Sequence, residues 1–263
     1  NLQQCLTRVA MDGFCVVEDV VPEGAVAAVR ESVARATEEY GRDVAKAKGI
    51  GHVPGFIRYD QSLAPYLARP ELMALIEGLL GPEARVSFTT ATVNYPGNLR
   101  GSWHADWPFN QRNAGRITAP YPDAVMHLTT LWMLSAFSKE NGGTLLVPGS
   151  HRQSNNPTGD MGIDPEAPYP TEVNATGQAG SVLVLDSRIW HATSANETDE
   201  SRVSVVVRYA PWWLNTRVLL PGSAERACLV KSGRTENDQP PLPVEVYENL
   251  PEMTKPLFAH WIE

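Results

Sequence analysis

Apolar residues recur at helical spacing over residues 22–40, where Val26, Val29 and Val33 fall on one stripe and charged residues occupy the other positions. Pro22 suits a first helical turn and Gly41 a stop. The spacing predicts a second helix over 70–80, with Leu72, Leu75, Ile76 and Leu79 on one stripe and Gly81-Pro82 ending it. Between the two, Gly49-Ile50-Gly51-His52-Val53-Pro54-Gly55 reads as a tight loop. From about Arg85 the texture changes. Short β-rich runs follow, at 86–95, 128–137, 144–147, 181–185, 189–194 and 203–209, with turn residues between them. That is the pattern of a barrel or two-sheet sandwich. Asn141-Gly142-Gly143 is a turn, and residues 154–176, rich in Pro, Gly, Asn and Asp, read as a long loop of the kind that serves as a lid or binding segment. The expected organisation is one domain over 1–263, with a helical part at about 1–84, a β core at about 85–213 and a C-terminal extension at about 214–263.

Composition narrows the partners. Hydrophobic residues make up 43% and charged residues 20% of 263, a globular composition able to build a sizeable core. The formal charge of −8 argues against nucleic acid or an anionic membrane as the main partner and leaves a small molecule as the expected one. No run is apolar for long enough to span a bilayer, and Asn1–Gln4 carry neither the basic nor the apolar part of a signal peptide. Three scattered cysteines, Cys5, Cys15 and Cys228, form neither a disulfide framework nor a zinc motif. A cytoplasmic location is expected by default.

Candidate chemistry begins at Trp103-His104-Ala105-Asp106-Trp107. On a strand, residues two apart share a face, so His104 and Asp106 would present an imidazole and a carboxylate together. They are two-thirds of the facial triad that holds iron(II). The third ligand must be a histidine from another strand, among His52, His127, His151, His191 and His260. His191 follows an apolar strand and can reach back to the first pair; His260 is expected to be exposed. Arg202 lies eleven positions after His191 across a polar turn, so two antiparallel neighbours would bring imidazole and guanidinium into one cavity. A guanidinium grips a carboxylate with two parallel charge-assisted bonds, as a dicarboxylate co-substrate requires.

In order along the chain, Asp12-Gly13-Phe14-Cys15-Val16-Val17, His104-x-Asp106, Leu131-Trp132 with Asn141-Gly142-Gly143, Val147-Pro148-Gly149-Ser150-His151, His191 and Arg202 resemble the phytanoyl-CoA dioxygenase family of 2-oxoglutarate oxygenases. The resemblance implies a mainly β fold, a double-stranded β-helix or jelly roll with flanking helices. It implies iron(II) on His104, Asp106 and His191, 2-oxoglutarate held by Arg202 and Thr193, and Trp132 lining the co-substrate pocket. His52 falls where some members carry a lysine that touches the co-substrate. O2 is then the oxidant, ascorbate a candidate reductant for the iron, and succinate and CO2 the co-products.

Halogenases that resemble this layout replace the carboxylate by Ala or Gly, whereas Asp106 is present, so the resemblance favours hydroxylation of a small organic substrate. Desaturation, epoxidation or cyclisation at the same iron, a cupin-type zinc or manganese enzyme, and a non-catalytic jelly-roll binding protein are the alternatives. Oligomeric state and substrate identity stay open. Trp103, Trp107, Phe109, Tyr121, Trp212 and Trp213 could wall a pocket, and Arg100, Asn110, Gln111 and Arg112 are polar handles for a substrate carboxylate or phosphate.

Overall fold

A computed structural model describes residues 1–110, 115–157, 161–229 and 239–263. The N-terminal part builds α1 (Leu2–Asp12), β1 (Phe14–Val17), α2 (Glu23–Tyr40), a one-turn α3 (Asp43–Lys46), β2 (Ile50–Pro54) and α4 (Pro70–Leu80). The apolar stripes of α2 and α4 are the faces they bury: Val26, Val29 and Val33 on one, Leu72, Leu75 and Ile76 on the other. Each of these aliphatic side chains, taken out of water, contributes roughly 1.5–3 kcal/mol. Glycine ends both short helices: Gly13 (φ 88°) after α1 and Gly81 (φ 83°) after α4 occupy conformations that side-chain-bearing residues avoid.

The β core comprises β3 (Arg85–Asn94), β4 (Leu128–Met133), β5 (Leu145–Leu146), β6 (Val173–Asn174), β7 (Val182–Asp186), β8 (His191–Ala192) and β9 (Arg202–Ala210). One sheet has six strands in the order β1-β7-β4-β9-β3-β2, and a second has three in the order β6-β5-β8; all the pairings are antiparallel. Strand alternation sorts the large sheet into two faces. Leu128 and Trp132 of β4, Val182 and Val184 of β7, and Val203, Val205, Val207 and Tyr209 of β9 join one hydrophobic cluster with α1, α2, α4 and the C-terminal Leu257, Phe258 and Trp261. The intervening residues face the small sheet, and a cavity opens between the sheets. This is the jelly roll with flanking helices that the sequence implied.

The structure corrects four local expectations. Residues 50–54 form a strand rather than a tight loop: Ile50 pairs with Asn94 and Pro54 with Thr90, so β2 is the edge of the large sheet. The glycines that suggested a loop serve close approach instead, since a Cβ on Gly51 would stand 2.4 Å from the Thr37 methyl. The long loop at 154–176 contains β6, which binds β5. His191 and Arg202 do not lie on paired neighbours; β8 belongs to the small sheet and β9 to the large one, so the two side chains face each other across the sandwich. His260 is half-buried rather than exposed, its ring centroid 5.2 Å from that of Trp261. Among the described residues, no helix is long and apolar enough to cross a membrane.

Candidate metal and co-substrate site

His104 and Asp106 lie on an extended segment rather than a regular strand. It is tied to the small sheet by a single bridge between His104 and His191, with amide–carbonyl bonds of 3.1 and 3.0 Å in the two directions. The Asp106 amide is fixed by the Ser187 carbonyl at 2.9 Å, and a turn begins there, with the Phe109 amide bonding the Asp106 carbonyl at 2.8 Å. The chain is thus pinned at both residues, and the side chains converge without a ladder between them.

The three groups meet. One ligand atom from each of His104, Asp106 and His191 lies within 4.8 Å of the others, and the imidazole centroids are 4.3 Å apart. Both rings are oriented from behind: His104 Nδ1 is 2.9 Å from the Ser102 carbonyl and His191 Nδ1 is 2.9 Å from that of Ile189. An N–H at each Nδ1 leaves the other nitrogen, Nε2, with its lone pair free for a metal. Burial, and then the neighbouring His191, push the His104 pKa down to about 4, which keeps that ring in the neutral form a metal needs. Burial alone would raise the Asp106 pKa, but the Arg208 guanidinium and the two histidines hold it well below the usual carboxylate range. Two imidazoles and one carboxylate suit iron(II).

A cavity of about 230 Å³ opens on these groups and reaches Arg202. That guanidinium is 3% exposed, and burial lowers its pKa to about 9, so it still carries its charge at neutral pH. Its Nη2 donates to Asn94 Oδ1, and its carbon lies 4.2 Å from the Phe137 ring centroid. Nε and Nη1 have no partner among the described residues. A buried cation with two unpartnered nitrogens is costly unless an anion completes it, and a carboxylate can accept from such a donor.

The family description phytanoyl-CoA dioxygenase (PhyH) matches residues 10–204. The chain belongs to the phytanoyl-CoA dioxygenase family. It is a 2-oxoglutarate-dependent dioxygenase, with iron and 2-oxoglutarate as its cofactors. A protein of Mycobacterium tuberculosis is 26% identical over 217 residues, 78% of this chain and 74% of the relative. An ectoine dioxygenase of Bordetella parapertussis is 26% identical over 228 residues, 75% of this chain and 71% of the relative. Among solved structures, the non-haem, α-ketoglutarate-dependent epimerase SnoN of nogalamycin biosynthesis resembles the fold with a TM-score of 0.63 at 23% identity, covering 80% of each chain. HygX from Streptomyces hygroscopicus, solved with nickel, 2-oxoglutarate and hygromycin B, does so at 0.62 and 19%, covering 80% of this chain and 88% of its own.

The remaining sequence-selected residues of this dioxygenase divide. Thr193 and His52 line the cavity, His52 from β2, with its pKa lowered to about 4 by burial and then by Arg42 and Arg208. Trp132 does not line it. Its neighbours Thr129 and Leu131 do, so alternation sends Trp132 to the helix-facing side, where it is fully buried and its Nε1–H donates to Thr130 Oγ1 at 3.0 Å. His127 is a buried link between the Ser87 and Ser187 hydroxyls, at 2.8 and 2.7 Å. His151 Nε2 is 3.3 Å from the Ala10 carbonyl at the end of α1. Arg100 is held by both oxygens of Glu172, at 3.0 and 2.8 Å, and is therefore spent on the loop that carries β6. Gln111 and Arg112 lie outside the described residues.

Two residues at the centre of the site were not singled out from the sequence. Arg208 Nη2 donates to Asp106 Oδ1 at 2.6 Å, with its guanidinium carbon 4.8 Å from the Phe88 ring centroid. Thr129 Oγ1 donates to Asp106 Oδ2 at 2.7 Å. A signal for Arg208 did exist: it is six residues after Arg202 on one strand, so period two puts both on one face. For Thr129 there was none, because any small hydroxyl residue on a strand looks alike.

Proposed function

We propose that this dioxygenase hydroxylates an unactivated C–H bond of a small organic substrate, with release of succinate and CO2. In this reading His104, Asp106 and His191 ligate iron(II), and Arg202 with Thr193 receives the far carboxylate of 2-oxoglutarate. The supporting observation is one cavity lined by a His-Asp-His cluster and a buried cation with two unpartnered nitrogens. Iron with 2-oxoglutarate and O2 would supply an oxidant strong enough for such a bond, one oxygen atom of O2 going to the substrate and the other to succinate. The chain's own work is positional. The Ser102 and Ile189 carbonyls hold the two imidazoles in the ligating tautomer. Arg208 and Thr129 each occupy one oxygen of Asp106 and so fix the plane of its carboxylate. The apolar wall of Phe88, Leu131 and Val206 keeps water from the reacting atoms.

The relatives and neighbours include dioxygenases, an epimerase and a carbocyclase, all named for oxidative chemistry or 2-oxoglutarate dependence. That range favours an organic small molecule over a macromolecule, and Asp106 favours hydroxylation over halogenation at the same metal. The test is anaerobic addition of iron(II) and 2-oxoglutarate, which should give a visible charge-transfer band, followed by a substrate screen read as succinate release with product mass. A product one oxygen heavier than its substrate is expected. Full iron occupancy without the band, or products lacking the added oxygen, refutes this assignment.

A further inference from the structure

β2 is the edge strand of the large sheet, and Ile50 and His52 on it line two spaces at once. One is the metal-site cavity. The other is an adjoining hollow of about 320 Å³ whose remaining walls are Arg42, Ala45 and Lys48. The two spaces share the wall made by Ile50 and His52, at a sheet edge where two cations stand. Both are exposed, and neither has a carboxylate partner among the described residues. Acidic residues outnumber basic ones by 30 to 22 along the chain, so two unpaired cations at the mouth of the site run against the overall balance.

The charge inside the pocket points the same way. Arg202 and Arg208 contribute one positive charge each and Asp106 one negative. Iron(II) would bring two positive charges and 2-oxoglutarate two negative ones. One positive charge is then left uncompensated in a buried space where an unmatched charge is costly.

We propose that the substrate is a small organic anion, a carboxylate or a phosphate monoester, whose charged end is received between Arg42 and Lys48 while its hydrocarbon part passes His52 towards the iron. This deepens the hydroxylase reading and rests on it. An anion at the mouth faces the two exposed cations and is drawn further by the net positive charge that the loaded pocket retains. A cationic substrate meets repulsion at both points.

The experiment uses the full chain loaded with zinc and 2-oxoglutarate, with ligand-observed NMR of hexanoate and hexyl phosphate against hexanamide and hexylamine. At least one anion should bind about tenfold or more tightly than the amide, the scale of hydrogen bonds to a charged group, and the amine should bind more weakly than either. The two anions against each other separate carboxylate from phosphate recognition. In the Arg42→Ser/Lys48→Ser double variant the preference for the anion should disappear, with melting temperature as the folding control. An anion that binds no better than its amide, whether both bind or neither does, overturns the proposal, as does a preference that survives the double substitution. The iron(II)–2-oxoglutarate band, measured in parallel, separates the two failures: no band sinks the hydroxylase reading, while a normal band without anion preference sinks only this inference.

Discussion

The two faces of the six-stranded sheet are made by the same strands and do opposite work. On β9, Val203, Val205, Val207 and Tyr209 press against the helices, while Arg202, Ser204, Val206 and Arg208 look into the space between the sheets. On β4, Trp132 is packed against helices while Thr129, three residues away, is bonded to Asp106. One face gains from removing apolar surface from water. The other buries two guanidinium groups and a carboxylate; the Arg208–Asp106 pair offsets part of that cost, and ligands at Arg202 and the His-Asp-His cluster would offset the rest. A period-two strand lets stability and ligand binding be placed within one residue of each other without sharing atoms, so substitutions on the two faces should separate cleanly.

The largest effect should come from Asp106→Ala. Turnover should fall to background, and iron should no longer be retained on gel filtration. The apo chain should also lose stability, by about 3–5 kcal/mol, because Arg208 keeps its buried charge and loses the carboxylate beside it. Retained succinate-coupled turnover would remove Asp106 from the proposed ligand set. On the opposite face, Trp132→Ala should lower unfolding free energy by about 3–5 kcal/mol in urea melts. Its 2-oxoglutarate affinity, measured on the folded fraction, should stay at wild type. A weakened co-substrate would mean that the two faces are coupled through the sheet.

Arg202→Ala should behave in the reverse manner. 2-Oxoglutarate binding should weaken by about 2–4 kcal/mol, read by titrating the charge-transfer band. The melting temperature of the apo chain should not fall, since the substitution removes a buried cation with two unpartnered nitrogens. A large loss of apo stability with unchanged co-substrate affinity would make Arg202 a structural residue.

The same division explains what could be read from the chain. The helices at 22–40 and 70–80 were legible because each buries a periodic stripe, and the runs that became β3, β4, β7 and β9 because they are β-rich stretches set between turn residues. His104, Asp106, His191 and Arg202 were legible as an ordered set of chemical types. β2 was not, because Gly49, Gly51, Pro54 and Gly55 look like turn residues, and only packing against Thr37 and Asn98 shows why glycine is needed at 49 and 51. Trp132 was misplaced because its type invites a pocket role, whereas parity with Thr129 and Leu131 decides its side. Arg208 was passed over because a family pattern that highlights one arginine draws attention away from the second on the same face.

Adjacent threonines give the finest version of the comparison. Thr129 Oγ1 donates to Asp106 Oδ2 on the cavity side. Thr130 Oγ1 donates to the Val207 carbonyl at 2.7 Å and receives the Trp132 Nε1–H on the other side. Replacing either by valine removes one hydroxyl and keeps the shape. Thr129→Val should weaken iron(II) binding by about tenfold, the usual consequence of removing a partner that orients a ligand, and should shift the melting temperature little. Thr130→Val should cost about 1–3 kcal/mol of stability, because it strands the Trp132 indole N–H in the core, and should leave iron affinity as it was. Equal effects of the two substitutions on both readouts would show that parity along β4 does not partition the molecule, and the contrast between the faces would fail at its smallest scale.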